Sequence, residues 1–60
     1  MTLHKANYIG DPDGLYKNEE YAILIGEKYG KVYIRRKCGA GERYYTHEEF
    51  NKNWNNLRKV

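Results

Sequence analysis

The hydrophobic pattern along the chain has a period of two before it has any period near four. Residues 5–10 alternate Ala6 and Tyr8 with Asn7 and Ile9, which predicts a short strand. The tetrad Asp11-Pro12-Asp13-Gly14 then predicts a type I turn, because the proline ring presets φ at the second position and glycine relieves crowding at the exit. Residues 15–20 read as irregular, with Leu15 the side chain that dips inward. The best strands are residues 20–25 and 31–37, rich in Ile, Val and Tyr and joined through residues 26–30 as a hairpin. Alternation places Tyr21, Ile23 and Ile25 on one face and Val32 and Ile34 on the matching face, and this is the predicted core side.

A second reversal is expected at residues 38–41, where Gly39 and Gly41 supply positive φ, followed by a short strand through Arg43, Tyr44 and Tyr45. Thr46-His47-Glu48-Glu49 fits a capping box, so a helix is predicted to start at His47. Phe50, Trp54 and Leu57 follow at helical spacings of four and three, among asparagines that are weak helix formers. Beyond Trp54 the segment is compatible with either more helix or a last edge strand. The fold class expected is mainly β, a small antiparallel barrel or curled sheet of three or four strands capped by a short C-terminal helix. Ala22 and Leu24 face away from the isoleucines, so the sheet must curl or be covered to shelter them.

Length narrows the function. A chain of 60 residues builds one core and buries only about 60% of its extended surface, which leaves little room for a deep pocket and points away from an enzyme. The single Cys38 has no internal disulfide partner, and no apolar run is long enough for a membrane span or a signal peptide, so a cytoplasmic protein is expected. The formal charge of +3 permits a polyanionic partner without demanding one.

With these features in order, the chain resembles the SH3-like small barrels. Ala6-Asn7-Tyr8 is similar to their Ala-x-Tyr opening strand, residues 15–21 resemble the first long loop leading into the second strand, and Gly30-Lys31-Val32-Tyr33-Ile34 resembles the third. Residues 44–50 are similar to the strand and helical turn that close such a barrel. The chain also resembles compact single-domain proteins of Gram-positive bacteria and their phages, whose C-terminal ends run aromatic, Ser/Thr, acidic pair, Phe, Trp. The aromatic groove of eukaryotic SH3 domains has no counterpart: Gly10 and Asp11 stand where a second aromatic follows the first, no Trp precedes Val32, and Pro12 is the only proline. The resemblance thus implies the fold and a binding role, with docking on a host protein as the phage likeness suggests, but no Pro-rich peptide ligand.

The candidate chemistry is a basic and aromatic hairpin, with Tyr33, Arg35, Arg36, Lys37, Arg43 and Tyr44 as its binding residues. A four-residue loop at 38–41 pairs Lys37 with Glu42, Arg36 with Arg43 and Arg35 with Tyr44, and the like-charge pair invites an anion. Tyr33, Arg35, Lys37 and Tyr44 then share a face on which rings stack on bases while cations follow phosphates, the arrangement of a single-strand nucleic-acid binder. The competing reading is a solvated sheet face that only protects the core. Phe50 and Trp54 are assigned to the core, since a chain poor in large aliphatics needs them there. His4, His47, Cys38, Glu48 and Glu49 are the only metal-ligand types at hand and lack metal-site spacing, so no cofactor is expected. A protein partner is the first expectation, nucleic acid the second, and a homodimer through exposed strand edges the third.

Overall fold

The computed structural model describes residues 1–12, 14–38 and 41–60. It contains β1 (Thr2–Tyr8), β2 (Glu20–Lys28), β3 (Lys31–Arg36), β4 (Glu42–Tyr45), α1 (His47–Asn53) and β5 (Trp54–Lys59). The strands form one antiparallel sheet in the order β4-β3-β2-β1-β5. The chain is mainly β, as expected, but the sheet is unclosed. β4 and β5 are its two edges, and no barrel forms among the described residues.

The core side follows the predicted alternation. Ile25 opposes Ile34, Tyr21 opposes Ala6, and Tyr45 opposes Val32, so these residues share one face. Ala6, Tyr8, Leu15, Ile23, Val32, Ile34 and Trp54 are buried there, with Tyr21, Ile25, Tyr45 and Phe50 packed around them. Among the described residues Leu15 is the one core residue outside the strands and helix, and its burial anchors the long connection between β1 and β2. That connection is also tied to β1: the Tyr8 N–H donates to the Glu19 carbonyl at 3.0 Å, and the Asn18 N–H to the Tyr8 carbonyl at 2.7 Å.

Three expectations are corrected. The hairpin joining β2 and β3 does not loop through residues 26–30: Lys28 still pairs with Lys31, and only Tyr29 and Gly30 turn the chain. Both have positive φ, 56° and 70°, the signature of the type I′ turn whose twist matches that of the strands it joins. The β3–β4 register is displaced by two residues from the expected one, with Arg35 opposite Glu42 and Ile34 opposite Arg43. A carboxylate thus faces an arginine, and Arg36 and Arg43 are not opposed, which removes the expected repulsion. The turn expected at 11–14 and the loop at 38–41 include Asp13, Gly39 and Ala40, which lie outside the described residues.

The third correction concerns the helical stripe of Phe50, Trp54 and Leu57, since of the two courses open beyond Trp54 the chain takes the edge strand. The capping box forms as read: the Glu49 N–H donates to the Thr46 hydroxyl at 3.1 Å, and the Thr46 N–H to the Glu49 carboxylate at 3.0 Å. The helix then ends at Asn53, because Trp54 turns extended (φ −135°, ψ 138°) and opens β5. Phe50, Trp54 and Leu57 therefore do not form one helical stripe. Trp54 enters the core from a strand, edge-on to Tyr8 at 5.1 Å and to Tyr21 at 6.1 Å. The pairing of β5 with β1 slips between Lys5 and Asn7, where Asn56 adopts φ 54° in a bulge that places an extra residue in β5.

Candidate functional site: the open face of the sheet

One face of the sheet carries the core and the helix; the other is open. On the open side of β3 and β4, Tyr33 opposes Tyr44 directly, with ring centroids 5.2 Å apart. The type I′ turn swings Tyr29 over the same patch, its ring 5.9 Å from that of Tyr44. The three rings make a continuous row. Lys28 closes one end with its ammonium 4.8 Å from the centroid of Tyr33, a cation–π contact. Arg35 stands next to the row, opposite Glu42.

Within this row the rings differ in exposure. Tyr33 is 6% exposed, Tyr44 39% and Tyr29 83%. Tyr33 is thus a fixed floor and Tyr29 a free lip. The floor is also tied chemically: the Glu42 carboxylate accepts from the Tyr33 hydroxyl and, with loss of solvent, raises its pKa above the ordinary phenol value. A neutral, hydrogen-bonded phenol is a flat apolar surface with its polar tip already satisfied.

The six residues expected to bind fall in three places. Tyr33, Arg35 and Tyr44 share the open face, because a register shift of two residues leaves side chains on the same side. Lys37 lies just past β3, where its N–H donates to the Ala22 carbonyl at 2.9 Å. Arg36 and Arg43 are on the core side, opposite Ile23 and Ile34, and Arg36 lies over the Tyr21 ring at 5.8 Å. Tyr29 and Lys28 belong to the row although residues 26–30 are expected to loop out. Their signal was the dipeptide Tyr29-Gly30, in which glycine at the second turn position marks a two-residue hairpin.

On the core side, a depression of about 560 Å³ opens beside α1, with Ile25, Val32, Phe50 and Leu57 in its walls and His4 and His47 at its margin. It is the incompletely covered end of the core. Among the described residues, no three metal-ligating side chains come together there or elsewhere. No helix is long and apolar enough to cross a membrane among the described residues. No family model matches the chain, and neither a curated protein nor a solved structure matches it.

Proposed function

We propose that this protein is a non-enzymatic binding module that docks on a protein partner through the open face of its sheet, with Tyr29, Tyr44 and Tyr33 at the centre of contact. The observation that carries the reading is Tyr29. A non-glycine residue in the left-handed region is costly, and Asn or Gly suits this turn position far better. The side chain gains little in return within the fold, since it is 83% exposed. Local strain that the fold does not need is a pointer to function, and exposed tyrosines with few rotatable bonds are preferred anchors at protein interfaces. The bacterial and phage resemblance suggests a host protein as the target, since occupying a surface needs no pocket.

The test is site-specific photocrosslinking. A benzophenone side chain at position 29 should give a discrete adduct with one protein, and the same group at Lys52, on the helix, should not. Equal adducts from both positions, or none from either, would count decisively against docking through this face.

A second reading rests on Lys28 and Arg35, whose charges flank the same rings. Stacking of bases on tyrosines with cations along the backbone is how single-stranded nucleic acid is held without sequence preference. Titration with an oligonucleotide at low and moderate salt separates the two. Steep loss of binding with salt supports the nucleic-acid reading, and absence of binding at low salt removes it.

A further inference from the structure

Where β3 leaves β2, Arg36 is drawn against the sheet instead of into solvent. It opposes Ile23, its guanidinium carbon is 5.8 Å from the centre of the Tyr21 ring, and its Nε is buried without an acceptor among the described residues. Arg36 as a whole is half-buried, so its guanidinium keeps outer donors that water or an anion can satisfy. Next to it lies a pocket of about 300 Å³, lined by Arg36, Lys37, Tyr21, Glu20, Ala22 and Cys38.

The pocket's charge is positive. Glu20 is its only carboxylate among the described residues, and that carboxylate is held in an ion pair by Arg58. Arg36 and Lys37 therefore line the pocket without a counter-charge of their own among the described residues. The Tyr21 hydroxyl accepts the Tyr16 N–H at 2.7 Å, which leaves its own proton to donate. The two terminal Nη groups of a guanidinium match two oxygens of a phosphate in a forked contact, while a lysine adds a point charge. Two cations and a phenol suit a dianion better than a monoanion.

We propose that this pocket is a phosphate-dianion site, anchored by Arg36 through the terminal Nη groups of its guanidinium, with Lys37 as the second charge and Tyr21 as a neutral donor. It is separate from the tyrosine row, and its success or failure leaves the docking proposal untouched. The chemistry it selects is a phosphate monoester or inorganic phosphate.

The experiment is a titration followed by NMR, observing the Arg36 Nε–H and the Lys37 and Cys38 amides. Methyl phosphate, a monoester whose second ionisation near 6 is nearly complete at about pH 7.5, is compared with acetate and dimethyl phosphate at matched ionic strength. Saturating shifts with methyl phosphate, at least about tenfold tighter than with either monoanion, are expected from the added charge. Arg36→Gln should abolish them and Lys37→Gln should weaken binding several-fold. Shifts that never saturate, or that acetate reproduces, overturn the proposal. Lys37 is exposed, so Lys37→Gln keeps the fold even where Arg36→Gln does not. Unchanged methyl phosphate affinity in Lys37→Gln also overturns it.

Discussion

Tyr29 holds its ring 5.9 Å from that of Tyr44 while its own backbone sits at φ 56°, a conformation tyrosine enters at a cost. The left-handed region is unfavourable by roughly 1–2 kcal/mol for a residue with a Cβ, and asparagine tolerates it best among non-glycine residues. Tyr29→Asn should therefore raise stability by about 0.5–1.5 kcal/mol, seen as a higher midpoint in urea with unchanged slope. The same substitution should weaken partner binding. A variant that is less stable than the parent would show that the Tyr29–Tyr44 contact outweighs the backbone strain.

A second substitution tests how tightly α1 is held to β1. A Cβ added to Gly10 would lie 2.7 Å from the Tyr8 hydroxyl oxygen and inside contact distance of the Asn53 side-chain oxygen. Neither can retreat cheaply. The Tyr8 hydroxyl donates to the Asp11 carbonyl at 2.5 Å, and the Asn53 amide donates to the Glu49 carbonyl at 2.7 Å. Gly10→Ala should cost about 1–3 kcal/mol, the usual range for overpacking. Its denaturation midpoint checks this, and a neutral result would mean that Asn53 swings out without loss.

Glu49 gives the helix a defined pH response. Hydrogen bonds from the Thr46 backbone and side chain stabilise its carboxylate and lower its pKa from the ordinary value. A lowered folded pKa contributes stability that is present above the unfolded value, near 4.3 for glutamate, and is lost as pH falls through the folded value. Glu49→Gln retains the capping geometry without the charge. The parent should thus be the more stable at neutral pH, and the gap should close below about pH 4. Thermal melts of both proteins at neutral and acid pH decide it. A gap independent of pH would show that the carboxylate's charge adds nothing.

Much of this fold is legible in the residue pattern, and the places where legibility ends have physical reasons. Alternation revealed the core face through Ile23, Ile25, Val32 and Ile34, because a sheet buried on one side leaves a period of two. The capping box located the start of α1 because its two hydrogen bonds are local. Its end was not local. Phe50, Trp54 and Leu57 are spaced as on a helix, yet the open hydrogen-bonding edge of β1 recruits residues 54–59 as a strand. The β3–β4 register depends on where Glu42 meets Arg35 and Tyr33, which no local motif reports. The candidate face stayed half hidden for a related reason: Tyr29 joins it only because the turn is two residues long, and Tyr29 is an unusual residue for such a turn.

Trp54 is where helix, strand and core meet, and its removal should be the most damaging change. Its N–H donates to the Phe50 carbonyl as the helix C-cap, its backbone pairs with Tyr8, and its ring packs edge-on to Tyr8 and Tyr21. Truncation to alanine typically costs about 3–5 kcal/mol at such a site, which is most of what a domain of this size has. Trp54→Ala should be largely unfolded at room temperature, with dispersed amide resonances lost. Trp54→Phe should behave quite differently. The indole Nε1 is buried without an acceptor among the described residues, so replacing it with a carbon ring removes an unsatisfied donor along with some packing. The two effects oppose, and the net cost should be about 1–2 kcal/mol with the fold retained. If Trp54→Phe unfolds the protein as fully as Trp54→Ala does, the indole N–H has a partner that holds β5 in place.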